Sequence, residues 1–296
     1  MAFDPDRVRA YRVPESRDRY DPRETILYAL AVGAGLGGED EQRFIHERGL
    51  VALPTMALVL GTAGFWPMDP ALGLDWRQVL HGEQSLRLHR PLWPAGEVVG
   101  TTVIGGIADK GPGGPVLLQA VRQLANAQTG APWATLEEVW VLRGMGGFGG
   151  DDVAVSEPLA PVPDRPADTI IDLPTFAQQA ALYRLTGDRN PLHIDPATAA
   201  AAGFERPILH GLAAFGVIGR ALIHRACGGD ARLLTAMRLR FTAPVYPGDT
   251  IRTEIWRDGD AVRFRASVAE RGTVIADAGI AECRGFPSRA LPAADA

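Results

Sequence analysis

An acid and an imidazole stand five residues apart in the run Tyr183-Arg184-Leu185-Thr186-Gly187-Asp188-Arg189-Asn190-Pro191-Leu192-His193-Ile194-Asp195. Gly187 and Pro191 force a turn between them, and a turn brings both side chains to one mouth rather than to opposite faces. Reference pKa values of ~3.9 for Asp and ~6.5 for His bracket the range in which such a pair shares a proton near neutrality. Asn190 between them can fix orientations without titrating. Taken alone, the run also fits a bland reading, since Asp and Asn are common turn formers and a single His is usually structural.

A second segment adds a different kind of group. Arg206-Pro-Ile-Leu-His210-Gly211 leads directly into an apolar stretch, Leu212 to Ala226, that reads as a long buried helix. Gly211 would then offer a backbone N–H at a helix N-terminus, where donor and dipole both favour developing negative charge. An acid–base pair beside such a site suits proton chemistry next to a carbonyl. No activated Ser or Cys motif is present, which argues against an acyl-enzyme. His193, Asp195 and His210 could be imagined as a metal set, but they lack paired helical spacing, so no metal site is expected. Gly33-x-Gly35-x-x-Gly38 and Gly144-x-Gly146-x-x-Gly149 match the dinucleotide fingerprint in letters only. Glu39, Asp40 and Glu41 follow the first and would repel a pyrophosphate, and the second lies in a run that holds no helix. No cofactor is expected.

The elements that must position these groups are legible around them. Thr175 with Gln178 resembles a capping box opening a helix towards Leu185. Asp195-Pro196 opens a short Ala-rich helix that Gly203 can end. Beyond the long helix the period becomes two. Met237–Phe241, Thr250–Trp256, Ala261–Ala269 and Thr273–Cys283 read as strands, with turns at Asp258-Gly259 and Arg271-Gly272. Helices followed by an antiparallel sheet make an α+β arrangement. The glycines of 144–150 and Pro158, Pro161, Pro163 and Pro166 mark a linker, so the expected units are 1–143, the linker 144–166, and 167–296.

The first unit repeats the plan of the second. Pro91-Leu92-Trp93-Pro94 parallels Pro244-Val245-Tyr246-Pro247, Leu86-Arg87-Leu88 parallels Met237-Arg238-Leu239, and Tyr28 lines up with Tyr183. Pro54-Thr55-Met56 falls against His210-Gly211-Leu212, so the uncharged stretch Gly49–Met68 takes the place of a soluble core helix. A membrane span is the poorer reading, because that stretch contains Pro54, Gly61, Gly64 and Pro67. The same alignment sets Gly33, Gly35 and Gly38 where Asp188, Asn190 and His193 stand. The first half therefore lacks the acid–base pair.

Across 296 residues, 30 basic and 35 acidic side chains give a formal charge of −5. That excludes a nucleic-acid reader working through bulk positive charge and disfavours a polybasic membrane binder. Cys227 and Cys283 read as reduced, buried thiols in a cytoplasmic setting. The charged first residues resemble no secretory signal, and Pro292–Ala296 carry no peroxisomal tripeptide, so a cytoplasmic location is expected.

The run Tyr183–His193 resembles the hydratase 2 motif of the MaoC-like (R)-specific enoyl-CoA hydratases, and most of all the hydratase 2 portion of the peroxisomal multifunctional enzyme. The resemblance extends from Tyr28 to Ile280. It includes Val79-Leu80-His81-Gly82-Glu83-Gln84, Asp109-Lys110-Gly111 and Gly146-Gly-Phe-Gly-Gly150. It implies a double hot-dog fold, each half wrapping an antiparallel sheet around a long helix. By the same resemblance, Asp188, Asn190 and His193 would be catalytic and the Gly211 N–H would hold the thioester oxygen. CoA-substrate contacts would fall at His81, Gly82, Lys110, Arg189, Pro191, Leu192 and Phe241. Lys110 is the single lysine of the chain, and an ammonium suits a CoA phosphate.

The implied reaction is reversible hydration of a trans-2-enoyl-CoA to a (3R)-3-hydroxyacyl-CoA, with the non-catalytic first half accommodating the acyl chain. The expected partner is an acyl-CoA thioester, with no nucleic acid and no membrane, and a homodimer is the assembly left open. The parent enzyme's dehydrogenase and sterol-carrier portions are absent, so a free-standing hydratase is expected. Three other readings compete: a 3-hydroxyacyl-thioester dehydratase on acyl carrier protein, a hot-dog thioesterase, and a non-catalytic acyl-CoA-binding hot-dog protein.

Overall fold

The computed structural model describes residues 3–36, 40–150, 155–258 and 261–284. Gly38 and Glu39 of the first glycine run, the turn residue Gly259 and the segment Pro292–Ala296 lie outside the described residues. Six α-helices are described: α1 (Pro5–Ala10), α2 (Pro22–Ala31), α3 (Gln42–Ile45), α4 (Gln179–Tyr183), α5 (Pro196–Ala201) and α6 (Gly211–Arg225). The strands are β1 (Ser16–Tyr20), β2 (Val79–Leu88), β3 (Gly96–Asp109), β4 (Val116–Asn126), β5 (Pro132–Leu142), β6 (Thr169–Pro174), β7 (Leu234–Phe241), β8 (Thr250–Asp258), β9 (Ala261–Val268) and β10 (Val274–Cys283).

These strands form one antiparallel sheet in the order β1-β3-β4-β5-β2-β7-β10-β9-β8-β6. The order reads the same from both ends once each strand is replaced by its repeat partner, so the sequence repeat is a structural one. The halves join where β2 pairs with β7, and there the equivalent residues Leu86 and Met237 face each other directly. The equivalent Tyr28 and Tyr183 also meet, their rings 6.3 Å apart. This is the double hot-dog, with one hydrophobic core running through both halves and around α6.

α6 carries the architecture. Its residues from Ala213 to Ile223 are all buried, as its unbroken apolar run demands. The charged exception is Arg220, 1% exposed. It donates to both Glu41 carboxylate oxygens at 2.7 and 2.6 Å and to the Val32 carbonyl at 2.8 Å, and His224 reaches Glu41 at 2.9 Å. Burial raises the Glu41 pKa, but His224 and Arg220 overcome that and draw it down to about 2.

Two expectations need correction. Gly49–Met68 forms no long helix; it contains the 3-10 turns Pro54–Val59 and Trp66–Met68. Gly61 adopts φ +56° against Gly100 of β3, so close that a β-carbon on Gly100 would lie 1.8 Å from the Gly61 oxygen. A continuing helix there would collide with the sheet. Among the described residues no helix is long and apolar enough to cross a membrane. The capping box at Thr175 is also absent: α4 starts later, with no side-chain cap. The Thr175 hydroxyl instead donates to the Asp249 carbonyl at 2.7 Å and accepts from the Gly248 N–H at 2.9 Å. By contrast, Asp195 caps α5 through Ala197 and Thr198, and Gly203 follows it at φ +88°, as the sequence implied. Cys227 is buried and Cys283 half-buried, both as free thiols.

The glycine run after β5 is organised rather than loose. The Asp109 carboxylate accepts from the N–H groups of Gly111, Gly147 and Gly149 at 2.9, 2.7 and 2.9 Å. Backbone amides curled around a carboxylate make an anion nest, which needs residues free to take positive φ.

Candidate active site

The turn after α4 builds the site. Gly187 stands at φ +132°, a conformation that favours glycine and throws Asp188 back across the chain. The Asp188 carboxylate accepts from the Asn190 N–H at 3.1 Å, and the Asn190 side-chain oxygen accepts from the Leu192 N–H at 3.0 Å. Asn190 thus caps the short 3-10 turn Pro191–His193, which delivers His193 into the interior. The expected neighbours do meet: ligand-type atoms of Asp188, His193 and His210 all lie within 4.8 Å of one another.

Hydrogen bonding fixes the tautomers. A carbonyl can only accept, so His193 donates from Nδ1 to the Ile208 oxygen at 2.9 Å, and its Nε2 is left with a lone pair. His210 likewise donates from Nε2 to the Asp188 carbonyl at 3.2 Å. The two imidazoles stack at 3.8 Å with 29° between their planes. Stacked rings carry their in-plane lone pairs in separate, near-parallel planes. Burial pushes the His193 pKa down, with the Asp188 carboxylate pulling partly against it. His210 is driven well below the ordinary imidazole range by burial and then by His193. Both rings are therefore neutral near pH 7, and His193 is ready to accept a proton.

Asp188, Asn190, Leu192 and His193 border a cavity of about 290 Å³, together with Gly211, His81, Gly82 and Phe241. Gly211 is the first residue of α6, and its N–H has no acceptor among the described residues. Phe241 covers it, its ring 3.4 Å from where a β-carbon on Gly211 would sit. Gly82 occupies a β-bulge between His81 and Glu83, where a side chain would strike Val141 at 2.7 Å. The bulge lets His81 turn inward, where it packs against Trp140 at 4.6 Å and Phe241 at 5.3 Å. Burial takes the His81 pKa down to about 4, so it serves as a neutral group.

The rest of the wall is mostly apolar, including Phe65, Trp140, Phe204, Ile208, Ile218 and Ile275. Sequence reasoning named none of these as site residues, because each reads as an ordinary core position until the fold opens a space beside it. In the sequence His210 suggests only a metal ligand. Three named candidates, Lys110, Arg189 and Pro191, do not line the cavity. Lys110 and Arg189 are exposed, Lys110 on the turn that follows β3.

Comparison with known proteins places the chain. Residues 158–278 match the MaoC like domain and residues 19–144 match the MFE-2 hydratase 2 N-terminal domain. The chain is 42% identical over 277 residues to 3-hydroxyacyl-thioester dehydratase Y of Mycobacterium tuberculosis, covering 91% of this chain and 93% of that one. It is 33% identical to the peroxisomal enoyl-CoA hydratase 2 of Arabidopsis thaliana, with 97% of each chain covered. Peroxisomal multifunctional enzyme type 2 of Mus musculus is 36% identical over 90% of this chain, which spans only 36% of that longer protein. The crystal structure of a MaoC-like dehydratase from Phytophthora capsici superposes with a TM-score of 0.82 at 33% identity, covering 96% of this chain and all of the other. Matched in both halves and along nearly its whole length, the chain belongs to the MaoC-like hydratase 2 family.

Proposed function

We propose that this chain is an (R)-specific 2-enoyl-CoA hydratase of fatty-acyl-CoA metabolism, adding water reversibly to a trans-2-enoyl-CoA to give the (3R)-3-hydroxyacyl-CoA. One observation carries the reading: a carboxylate and a neutral imidazole with a free Nε2 lone pair meet at an apolar cavity beside an unengaged helix N-terminal N–H. In this reading the thioester oxygen accepts from the Gly211 N–H, and the enoyl chain lies against apolar side chains of both halves. Asp188 and His193 hold a water facing C3. As its oxygen bonds to C3, the C2=C3 electron pair moves toward C2 and the thioester oxygen. The water's proton passes to the Asp188–His193 pair, and the pair returns a proton to C2. Gly211 stabilises the enolate-like oxygen meanwhile.

A second reading runs the same residues backwards, as a 3-hydroxyacyl-thioester dehydratase, and the 42% identical relative so named supports it. A panel of enoyl-CoA and enoyl-acyl-carrier-protein substrates, followed by loss of the conjugated enoyl absorbance and with the product configuration assigned, tests both. Asp188→Asn and His193→Gln are each expected to lower turnover by about 10²–10⁴ at unchanged fold. Full activity in either variant sinks the assignment, and release of free thiol in step with loss of absorbance makes the protein a thioesterase instead.

A further inference from the structure

A second cavity, of about 260 Å³, lies on the other side of the catalytic turn. Thr186 and Gly187 line it, whereas the next residues, Asp188 and Asn190, line the first cavity. The turn itself is therefore the partition. The two spaces differ in character: the first has a mostly apolar wall, while the second is bordered by Asp18, Glu24, Thr62 and Tyr28 among others. At roughly 30 Å³ per molecule in the liquid, the second holds several waters. Gly187 faces open space within the second cavity, where a β-carbon on it would meet only the Thr62 methyl, at 4.0 Å.

Buried polar atoms without partners run through this partition. Rings follow one another from the second cavity to the acid–base pair: Tyr28 to Tyr183 at 6.3 Å, Tyr183 to His210 at 4.8 Å, and His210 to His193 at 3.8 Å. The Tyr183 hydroxyl and the His210 Nδ1 are both buried and unpartnered, as is the Tyr28 hydroxyl, which lies near Thr55 but outside hydrogen-bonding geometry. The tautomer set by the Asp188 carbonyl makes His210 Nδ1 a bare acceptor, and Tyr183 beside it is a donor with nothing to donate to. Buried polar atoms left without protein partners are the kind that ordered water satisfies in folded proteins.

Resting on the hydratase reading, we propose that the second cavity is the water port of the active site. It supplies the reacting water to Asp188 and His193 during hydration, and receives it during dehydration, while the acyl thioester fills the first cavity. Water is a substrate here, and a long acyl chain in an apolar cavity shuts out the water that would otherwise arrive by that side. A short chain leaves that space open.

The test is Thr62→Leu, which extends into the second cavity. Thr62→Val serves as a near-isosteric control for the hydrogen bond that Thr62 accepts from the Gly64 N–H. Steady-state hydration of crotonyl-CoA and of trans-2-decenoyl-CoA is measured for both variants and the parent chain. The port predicts that Thr62→Leu lowers kcat for the long substrate by about tenfold or more, with KM and the crotonyl-CoA kcat held within about twofold. Thr62→Val should match the parent chain. Three outcomes overturn the proposal: no kcat loss with either substrate, an equal loss with both, or a rise in KM confined to the long substrate, which would make the cavity an acyl-tail site. A parent chain that hydrates neither thioester overturns the hydratase reading itself.

Discussion

Removing one hydrogen atom at the start of α6 isolates the oxyanion donor. Gly211→Pro deletes the backbone N–H at a position where proline is tolerated. Residue 211 is the first of the helix, where no intrahelical bond is lost, and the preceding His210 is extended at φ −57° and ψ 135°, the region that a following proline requires. The new β-carbon would sit 3.4–3.6 Å from the Phe241 ring, an ordinary contact. Gly211→Ala places the same β-carbon but keeps the N–H, so comparing the two variants separates packing from donation. Loss of a single donor aimed at developing charge costs about 2.7–4 kcal/mol, or roughly 10²–10³ in kcat. Because that charge grows toward the transition state, the loss belongs mainly in kcat, with a smaller rise in KM as the proline ring crowds the thioester oxygen. The assay is initial-rate loss of enoyl-thioester absorbance at saturating substrate, with thermal unfolding recorded for all three proteins. A Gly211→Pro enzyme within about threefold of Gly211→Ala, at an unchanged unfolding temperature, would refute the oxyanion assignment.

The ionisable groups give further expected outcomes. Arg220→Met strands Glu41 in the core and should cost about 3–5 kcal/mol in denaturant unfolding, and adding Glu41→Gln should restore part of it. Glu41 also sets an acid limit: its pKa falls from 4.5 to about 2 on folding, roughly 3 kcal/mol of stability that is complete above pH 4.5 and lost as pH drops toward 2. In Arg220→Met/Glu41→Gln that acid-labile component should vanish from urea midpoints measured across this range. His193, whose pKa is lowered by burial, must be neutral to accept a proton, so the acid limb of kcat/KM should lie below pH 6.5. In Asp188→Asn the His193 titration followed by NMR should move lower still, because the carboxylate that favours the charged ring is gone.

Local signals were legible where the chain settles its own hydrogen bonds. Asp195-Pro196 caps α5 through residues two and three positions on, and the Asp188–Asn190–Leu192 relay is equally local. The palindromic sheet was foreshadowed because repeat-related residues such as Leu86 and Met237 meet face to face. Illegible features depend on distant partners. Thr175 spends its hydroxyl on Asp249 and Gly248, more than 70 residues away, so a sound capping motif caps nothing. The N-terminal helix fails for a similar reason: β3 passes so near Gly61 that only glycine fits on both sides. Lys110, the single lysine of the chain, lies on an exposed turn outside the cavity lining.

The same distinction explains why one duplicated fold holds a single acid–base pair. Gly33 and Gly35 stand where Asp188 and Asn190 stand in the second half, and their absent side chains are only part of the change. The Arg220 guanidinium lies 3.1 Å from where a β-carbon on Gly33 would be, and Gly33 itself sits at φ +81°. The Gly35 N–H donates to Glu41 at 2.8 Å, and Arg220 holds the Val32 carbonyl. The turn equivalent to the catalytic one is thus closed around the buried ion pair between Arg220 of α6 and Glu41, and its backbone is committed to that pair. Restoring Asp at 33 and Asn at 35 would put one side chain against Arg220 and strain both positive-φ positions, without opening a cavity. Arg220 and Glu41 therefore fill the ground beside Gly33 and Gly35, and the same ion pair ties α6 to the first half.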